Sequence, residues 1–237
     1  VYAMASSNRY FPKDIKRSDY SSLNSGMIEY SFEPGSVIKP ITFSLLLERG
    51  LVNPYDLVNG HNGRFKIGRK IITDEHKFDW LSAENVIVYS SNVGIAQLAQ
   101  KLSGYDFYQG LLSFGFSKPS TPDLIYEKVG SLPSPKRLQN EIYKATSSYG
   151  YGMHTNLMQL MRAYSAFNNN GRMVYPKLIS SYIDEVGKED KSAYKEQVQV
   201  IKSATAQRMK KILIKTVNKG TGKKAITEGL IVGGKTG

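Results

Sequence analysis

The chain contains no cysteine, which excludes disulfides and any chemistry that needs a thiolate. Its three histidines, His61, His76 and His154, are scattered without metal-ligand spacing, so no metal site is expected. No apolar run approaches the roughly 20 residues that span a bilayer, and no signal-peptide pattern opens the chain. There is no internal repeat and no low-complexity linker. Basic residues are not interleaved with aromatics in the way that binds RNA, so no nucleic-acid partner is expected. The net charge of +12 is compatible with a polyanionic neighbour. The positive residues are dispersed, however, and Lys210-Lys211 and Lys223-Lys224 are the only adjacent lysine pairs. A solvated basic surface is the simpler reading.

What is present is a globular chain of 237 residues, 41% hydrophobic, long enough for one substantial core. Both ends look cut. Val1 to Ala5 opens abruptly in a strand-like segment, and Gly233 to Gly237 closes just after another. The expectation is a single domain over 1–237, truncated at both ends and part of a longer protein.

The stretch Glu33-Pro34-Gly35-Ser36-Val37-Ile38-Lys39-Pro40 carries the densest signal. Proline lacks the amide hydrogen and collides with the carbonyl four residues back, so Pro40 belongs in the first turn of a helix. That places the helix start close to Ser36, with Ile41, Phe43 and Leu45 to Leu47 continuing it and Gly50 just past its end. Residues at i and i+3 share a face, so Lys39 can reach the Ser36 hydroxyl. A hydroxyl becomes a useful nucleophile when a neighbouring base takes its proton, and a helix N-terminus favours developing negative charge. By itself Ser-x-x-Lys is weak, and Ser192 to Lys195 matches it too.

Elsewhere, residues 1–7 read as a strand and 8–32 as a polar irregular segment. Residues 53–80 read as a surface excursion with short β-type runs at 64–67 and 70–73. A helix is predicted around 82–89. A second, with Ile95, Leu98, Ala99 and Leu102 at helical spacing, should end at Gly104, and Asp106 should cap a third. Residues 115–140 read as loop. A helix over 155–167 should turn Leu157, Leu160, Met161 and Tyr164 to one side, with Asn168 to Gly171 breaking it. A strand over 177–184, a basic amphipathic helix over 203–217, a turn at Gly220 to Gly222 and a last strand at 230–232 complete the pattern. Helices in the middle with strands near both ends predict an α+β fold.

Acyl transfer by a serine and a lysine needs a second hydroxyl to relay protons, an amide to hold substrate and a fixed cation for its negative end. The chain offers these in order: Ser36 and Lys39, then Ser90 and Asn92 at a helix start, then Lys235-Thr236-Gly237 after a strand. Ser6 to Asn8 and Ser22 to Asn24 are also Ser-x-Asn, but only the third match leads into an amphipathic helix between the other motifs. Gly229 to Thr236 matches the phosphate-loop pattern. That loop needs a strand before its first glycine and a helix after its lysine, whereas here apolar residues sit inside it, so nucleotide binding is rejected.

Taken together these motifs resemble the class B penicillin-binding proteins, serine D,D-transpeptidases that share Ser-x-x-Lys and Lys-Thr-Gly signatures. The resemblance runs along essentially the whole chain, and Phe32 to Pro40 looks like the division-specific branch. Ser148 to Gly152 with Gln159-Leu160, Gly220 to Ala225 and Tyr2 to Ser6 look like further family segments. The resemblance implies a penicillin-binding/serine β-lactamase-like transpeptidase fold, an antiparallel sheet flanked by helices, here without its last strands and C-terminal helix. It implies Ser36 as the nucleophile acylated by a stem peptide or a β-lactam, Lys39 as general base, and Ser90 as proton relay. Asn92 would contact the substrate amide, Lys235 and Thr236 would hold its carboxylate, and Gly237 would leave room along the strand. The oxyanion hole would use the Ser36 amide and one amide beyond Gly237, a donor worth about 10²- to 10³-fold. No cofactor is implied. Implied partners are peptidoglycan stem peptides, β-lactams, a polymerising glycosyltransferase and other division proteins, at the extracytoplasmic face of the inner membrane. The alternatives are a serine β-lactamase or β-lactam sensor, and a non-catalytic basic binding domain.

Overall fold

A helix that is apolar on every side has to be buried, and in the computed structural model the first helix, α1 (Lys39–Glu48), is the centre of the molecule. The structure describes residues 10–121, 123, 126–191 and 197–237. Lys39 through Leu46 are all buried. The hydroxyls within α1 return to backbone carbonyls, Ser44 to Ile41 at 2.7 Å and Thr42 to Ser148 at 3.1 Å, so no polar atom there is stranded. Ser36 lies in a tight 3₁₀ turn, Gly35–Ile38, that runs directly into α1, and Pro40 sits in the first turn as its missing amide requires.

After α1 come β1 (Leu57–Asn59), β2 (Arg64–Ile67), β3 (Lys70–Thr73) and β4 (Trp80–Ser82), paired antiparallel as β1 with β4 and β2 with β3. The hairpin of β2 and β3 delivers Thr73 and Asp74 to the start of α3. Six helices follow, α2 (Ala83–Val88), α3 (Asn92–Ala99), α4 (Gly104–Ser113), α5 (Pro135–Leu138), α6 (Glu141–Ser148) and α7 (Leu157–Asn168); α2, α3 and α4 pack directly on α1, α5 packs on α4 and α6, and α6 on α3. α4 comes close because Gly110 faces Leu45, where a Cβ would collide with the leucine side chain. Then follow β5 (Arg172–Val174), β6 (Ser181–Ile183), β7 (Glu189–Lys191), β8 (Gln197–Gln199) and α8 (Ser203–Lys219), with β5 paired to β8 and β6 to β7. The architecture is α+β, and every ladder among the described residues is antiparallel. Among the same residues no helix is long and apolar enough to cross a membrane.

Several expectations change. Gly104 opens α4 instead of ending α3, because Ser103 is the cap, its Oγ accepting the Asp106 amide at 3.0 Å. The prolines of 115–140 do not prevent a helix at α5, since Pro135 stands in its first turn. α6 was not anticipated, although Asn140 caps it. On α7, Leu157 and Met161 are exposed while Gln159 and Arg162 are buried. The inner face of that helix belongs to polar side chains: Gln159 bonds Lys118, Val129, Thr155 and Asn156. The strand predicted over 177–184 shrinks to β6. Residues 230–232 join no ladder among the described residues, with Leu230 and Ile231 exposed. A strand needs hydrogen-bonding neighbours, whereas here the Leu230 amide turns back to the Thr227 carbonyl at 3.2 Å and Gly234 N–H reaches the Leu213 carbonyl at 3.2 Å. The strand expected over 1–7 and the second Ser-x-x-Lys at 192–195 fall outside the described residues.

Candidate active site

Three distant segments meet at one cleft of about 320 Å³ lined by Ser36, Ser90, Asn92, Thr236 and Gly237. Lys39 lies beneath it with its side chain wholly buried. A 3₁₀ turn eclipses residues i and i+3, which turns Ser36 and Lys39 to the same side. The Lys39 Nζ donates to the Ser90 carbonyl at 2.5 Å and to Ser90 Oγ at 3.1 Å. Among the described residues it makes no hydrogen bond to Ser36, so the direct pairing expected from spacing is replaced by a lysine anchored on the second serine. Three donors on an ammonium, or two and a lone pair on an amine, leave one direction free.

Burial pushes the Lys39 amine down to about 7, with the Lys235 cation acting in the same direction and Asp74 and Glu75 opposing it. Burial also lowers Lys235 to about 8, against Glu75. At the mouth, Lys235 Nζ donates to the Thr236 carbonyl at 2.7 Å and to Thr236 Oγ1 at 3.2 Å, and Thr236 Oγ1 donates to Thr221 Oγ1 at 2.9 Å. Gly237 packs against the turn that carries Ser36, since a Cβ there would stand 2.9 Å from Val37 Cγ1. The glycine thus serves packing as well as room along the cleft.

The turn that carries Ser36 is clamped from α6 and α7. Gly150 has φ +94°, and a Cβ on it would run into the Gly35 backbone. Glu33 Oε1 accepts the Gly152 amide at 2.8 Å, and the Tyr164 hydroxyl donates to the Val37 carbonyl at 2.6 Å. Sequence reading did not foresee Glu33, Tyr164, Asp74, Glu75, His76, Phe78, Tyr89 or Thr221. The last six line the cleft, and the rings of Phe78 and Tyr89 form a tilted pair with centroids 5.6 Å apart. Glu33 lay inside the Glu33 to Pro40 stretch, Tyr89 beside Ser90 and Thr221 within Gly220 to Ala225, but spacing gave none of them a place in the site. The loop 74–78 carried no pattern that could have flagged it.

A buried amine of low basicity, two hydroxyls and a second cation at the mouth together suit transfer of an acyl group to Ser36. Comparison with known proteins points the same way. The family model described as "Penicillin binding protein transpeptidase domain" matches residues 1–237. A probable peptidoglycan D,D-transpeptidase PenA of Neisseria flavescens is 30% identical over 241 residues, covering 100% of this chain and 56% of that protein. The peptidoglycan D,D-transpeptidase FtsI of Buchnera aphidicola is 32% identical over 171 residues, 72% of this chain and 30% of that one. A crystal structure of a peptidoglycan glycosyltransferase from Burkholderia ambifaria superposes with TM-score 0.81 at 32% identity, covering 92% of this chain and 66% of that one. The chain therefore spans about half, or less, of the length of these curated relatives.

Proposed function

The chain belongs to the penicillin-binding protein transpeptidase family, and on that premise we propose that it is a serine D,D-transpeptidase domain that cross-links peptidoglycan stem peptides through an ester on Ser36. The observation that carries the reading is the buried Lys39 amine, lowered to about 7 and held on Ser90 under the cleft that Ser36 lines.

In the reaction, Ser36 Oγ attacks the carbonyl carbon of the penultimate D-alanine while neutral Lys39 takes its proton. The tetrahedral species collapses by breaking the C–N bond. The proton returns through Ser90 Oγ to the departing amine, which leaves as D-alanine, and Lys39 is neutral again. An amine from a second stem peptide then attacks the ester carbon, gives its proton to Lys39, and expels Ser36 Oγ, which recovers that proton. With a β-lactam the broken C–N bond lies in the ring, so the leaving amine stays tethered. Lys235 and Thr236 hold the substrate carboxylate at the mouth, and Asn92 faces its amide. The names of the relatives, peptidoglycan D,D-transpeptidases, support placement in cell-wall synthesis, and the site of action that goes with this reading is the extracytoplasmic face of the membrane. The motif style of Phe32 to Pro40 favours division, with a glycan polymerase and division proteins as partners.

The test is intact mass after exposure to penicillin, followed by peptide mapping. One adduct on Ser36 that persists for hours, absent in Ser36→Ala, is the expected result. Rapid loss of the adduct would identify a β-lactamase instead, and undiminished labelling of Ser36→Ala would end the assignment.

A further inference from the structure

Asp74 follows β3 at the edge of the cleft, and its carboxylate is committed to a neighbouring element. Oδ1 accepts the amides of Asn92 at 2.5 Å and Val93 at 2.9 Å, and Oδ2 accepts the Ser91 hydroxyl at 2.6 Å. Ser91 Oγ accepts the Gly94 amide at 2.8 Å in turn. The residue before Asp74 joins in, its Thr73 carbonyl receiving Asn92 Nδ2 at 3.0 Å. The end of β3 therefore grips the first turn of α3 on both sides of the residue that matters for chemistry. Ser90, immediately upstream, stands at φ +61°, a conformation that a residue with a Cβ adopts only where its surroundings impose it. In that conformation both its carbonyl and its hydroxyl meet Lys39 Nζ.

We infer that Asp74 is a positioning residue for acylation: its carboxylate, through Ser91 and the amides of Asn92 and Val93, sets Ser90 against Lys39 and Asn92 into the cleft. The inference rests on the transpeptidase reading above. A helix cap alone would stabilise α3 without touching rate. This cap is joined to the chain at the residue that contacts the base, so an error in its position is transmitted to the reacting atoms. Asp74 also has an electrostatic part. The charged groups facing Lys39 are Lys235 from the last segment and Asp74 and Glu75 from the loop after β3, and Asp74 opposes the depression of Lys39. His76 lines the same cleft.

The experiment measures the second-order rate of labelling by a fluorescent penicillin between pH 5.5 and 9. It uses the whole chain as wild type, Asp74→Ala, Asp74→Asn and Ser91→Ala, each rate normalised to its labelling endpoint. Asp74→Ala is expected to slow labelling about 10²-fold, the cost of a misplacement of about 1 Å, and to move the midpoint of the pH profile to lower pH. Asp74→Asn keeps an acceptor for the two amides, so it should recover part of the rate but retain the lowered midpoint. Ser91→Ala should be slowed with its midpoint unchanged. Should Asp74→Ala not fold, the other two variants carry the same comparison. Variants whose labelled fraction falls while the reactive molecules keep the wild-type rate and midpoint would reduce Asp74 to a structural cap and overturn the inference. If wild type itself takes no label on Ser36, the function falls and this inference with it; a labelled wild type with indifferent variants sinks this inference alone.

Discussion

A lysine acts as a base near neutral pH only if its surroundings disfavour the cation, and for Lys39 burial is the larger cause and Lys235 the smaller. The amine loses its proton as pH rises through about 7, so the acylation rate should climb through that value and level off above it. A flat profile for penicillin labelling would remove Lys39 from the base role. The same shift bears on stability. The unfolded chain keeps a proton on this amine up to its ordinary 10.5, whereas the folded chain releases it above about 7. Folding therefore strengthens as pH rises across that window. Lys39→Met abolishes the dependence. At 1.36 kcal/mol per unit the penalty removed is about 5 kcal/mol, offset by about 1 kcal/mol for each of two lost bonds to Ser90. The expected outcome is an inactive variant that melts several degrees higher at pH 6, with the gain shrinking by pH 10. Spacing alone put Ser36 and Lys39 on one face. It could not reveal that the amine is anchored on Ser90, because the residue 51 positions away arrives only by folding.

The 3₁₀ turn of Gly35–Ile38 gains its rigidity from elements that follow it by more than a hundred residues. Gly150 accepts the approach of that turn because it lacks a Cβ and tolerates φ +94°. Gly150→Ala should cost about 3 kcal/mol from strain and overlap, and penicillin labelling of the folded fraction should slow at least tenfold. Normal labelling kinetics in Gly150→Ala would mean that the turn does not depend on this contact. Tyr164→Phe removes the donor to the Val37 carbonyl and should lower stability by about 1 kcal/mol in a denaturant titration. Burial pushes the Tyr164 phenol far above its ordinary value, so that bond is present at any working pH. At this scale α1, α3 and α8 were legible from apolar spacing. α6 was not: its N-cap Asn140 adjoined a proline-rich stretch that read as loop.

In the whole molecule, a polar layer replaces hydrophobic packing between α7 and the segments 118–121 and 126–131. Gln159 and Asn156 are completely buried. Gln159 ties those segments through the Lys118 and Val129 carbonyls, while Asn156 Nδ2 donates to Glu127 Oε1 and the Lys128 carbonyl. Gln159→Leu would take the donor from two partly buried carbonyls and the acceptor from Thr155 and Asn156, costing about 3 kcal/mol, and the melting temperature should drop by about 6 to 12 °C. A change under 2 °C would show that water replaces the amide without loss. The charge of +12 bears on solubility and the partners the surface attracts.

The amino-acid order alone determined the helix start at Pro40, the apolar centre of α1, the short β-type runs that become β2 and β3, and the three motifs that carry Ser36, Ser90 and Lys235, because backbone sterics and hydrophobic periodicity act over a few residues. Only the tertiary structure decided that these motifs share one cleft, that Lys39 rests on Ser90, that Asp74 holds the start of α3, and that 230–232 finds no ladder among the described residues. Each of those depends on groups far apart in the chain being desolvated together, and burial, which sets both basicity and pairing, belongs to the assembled molecule.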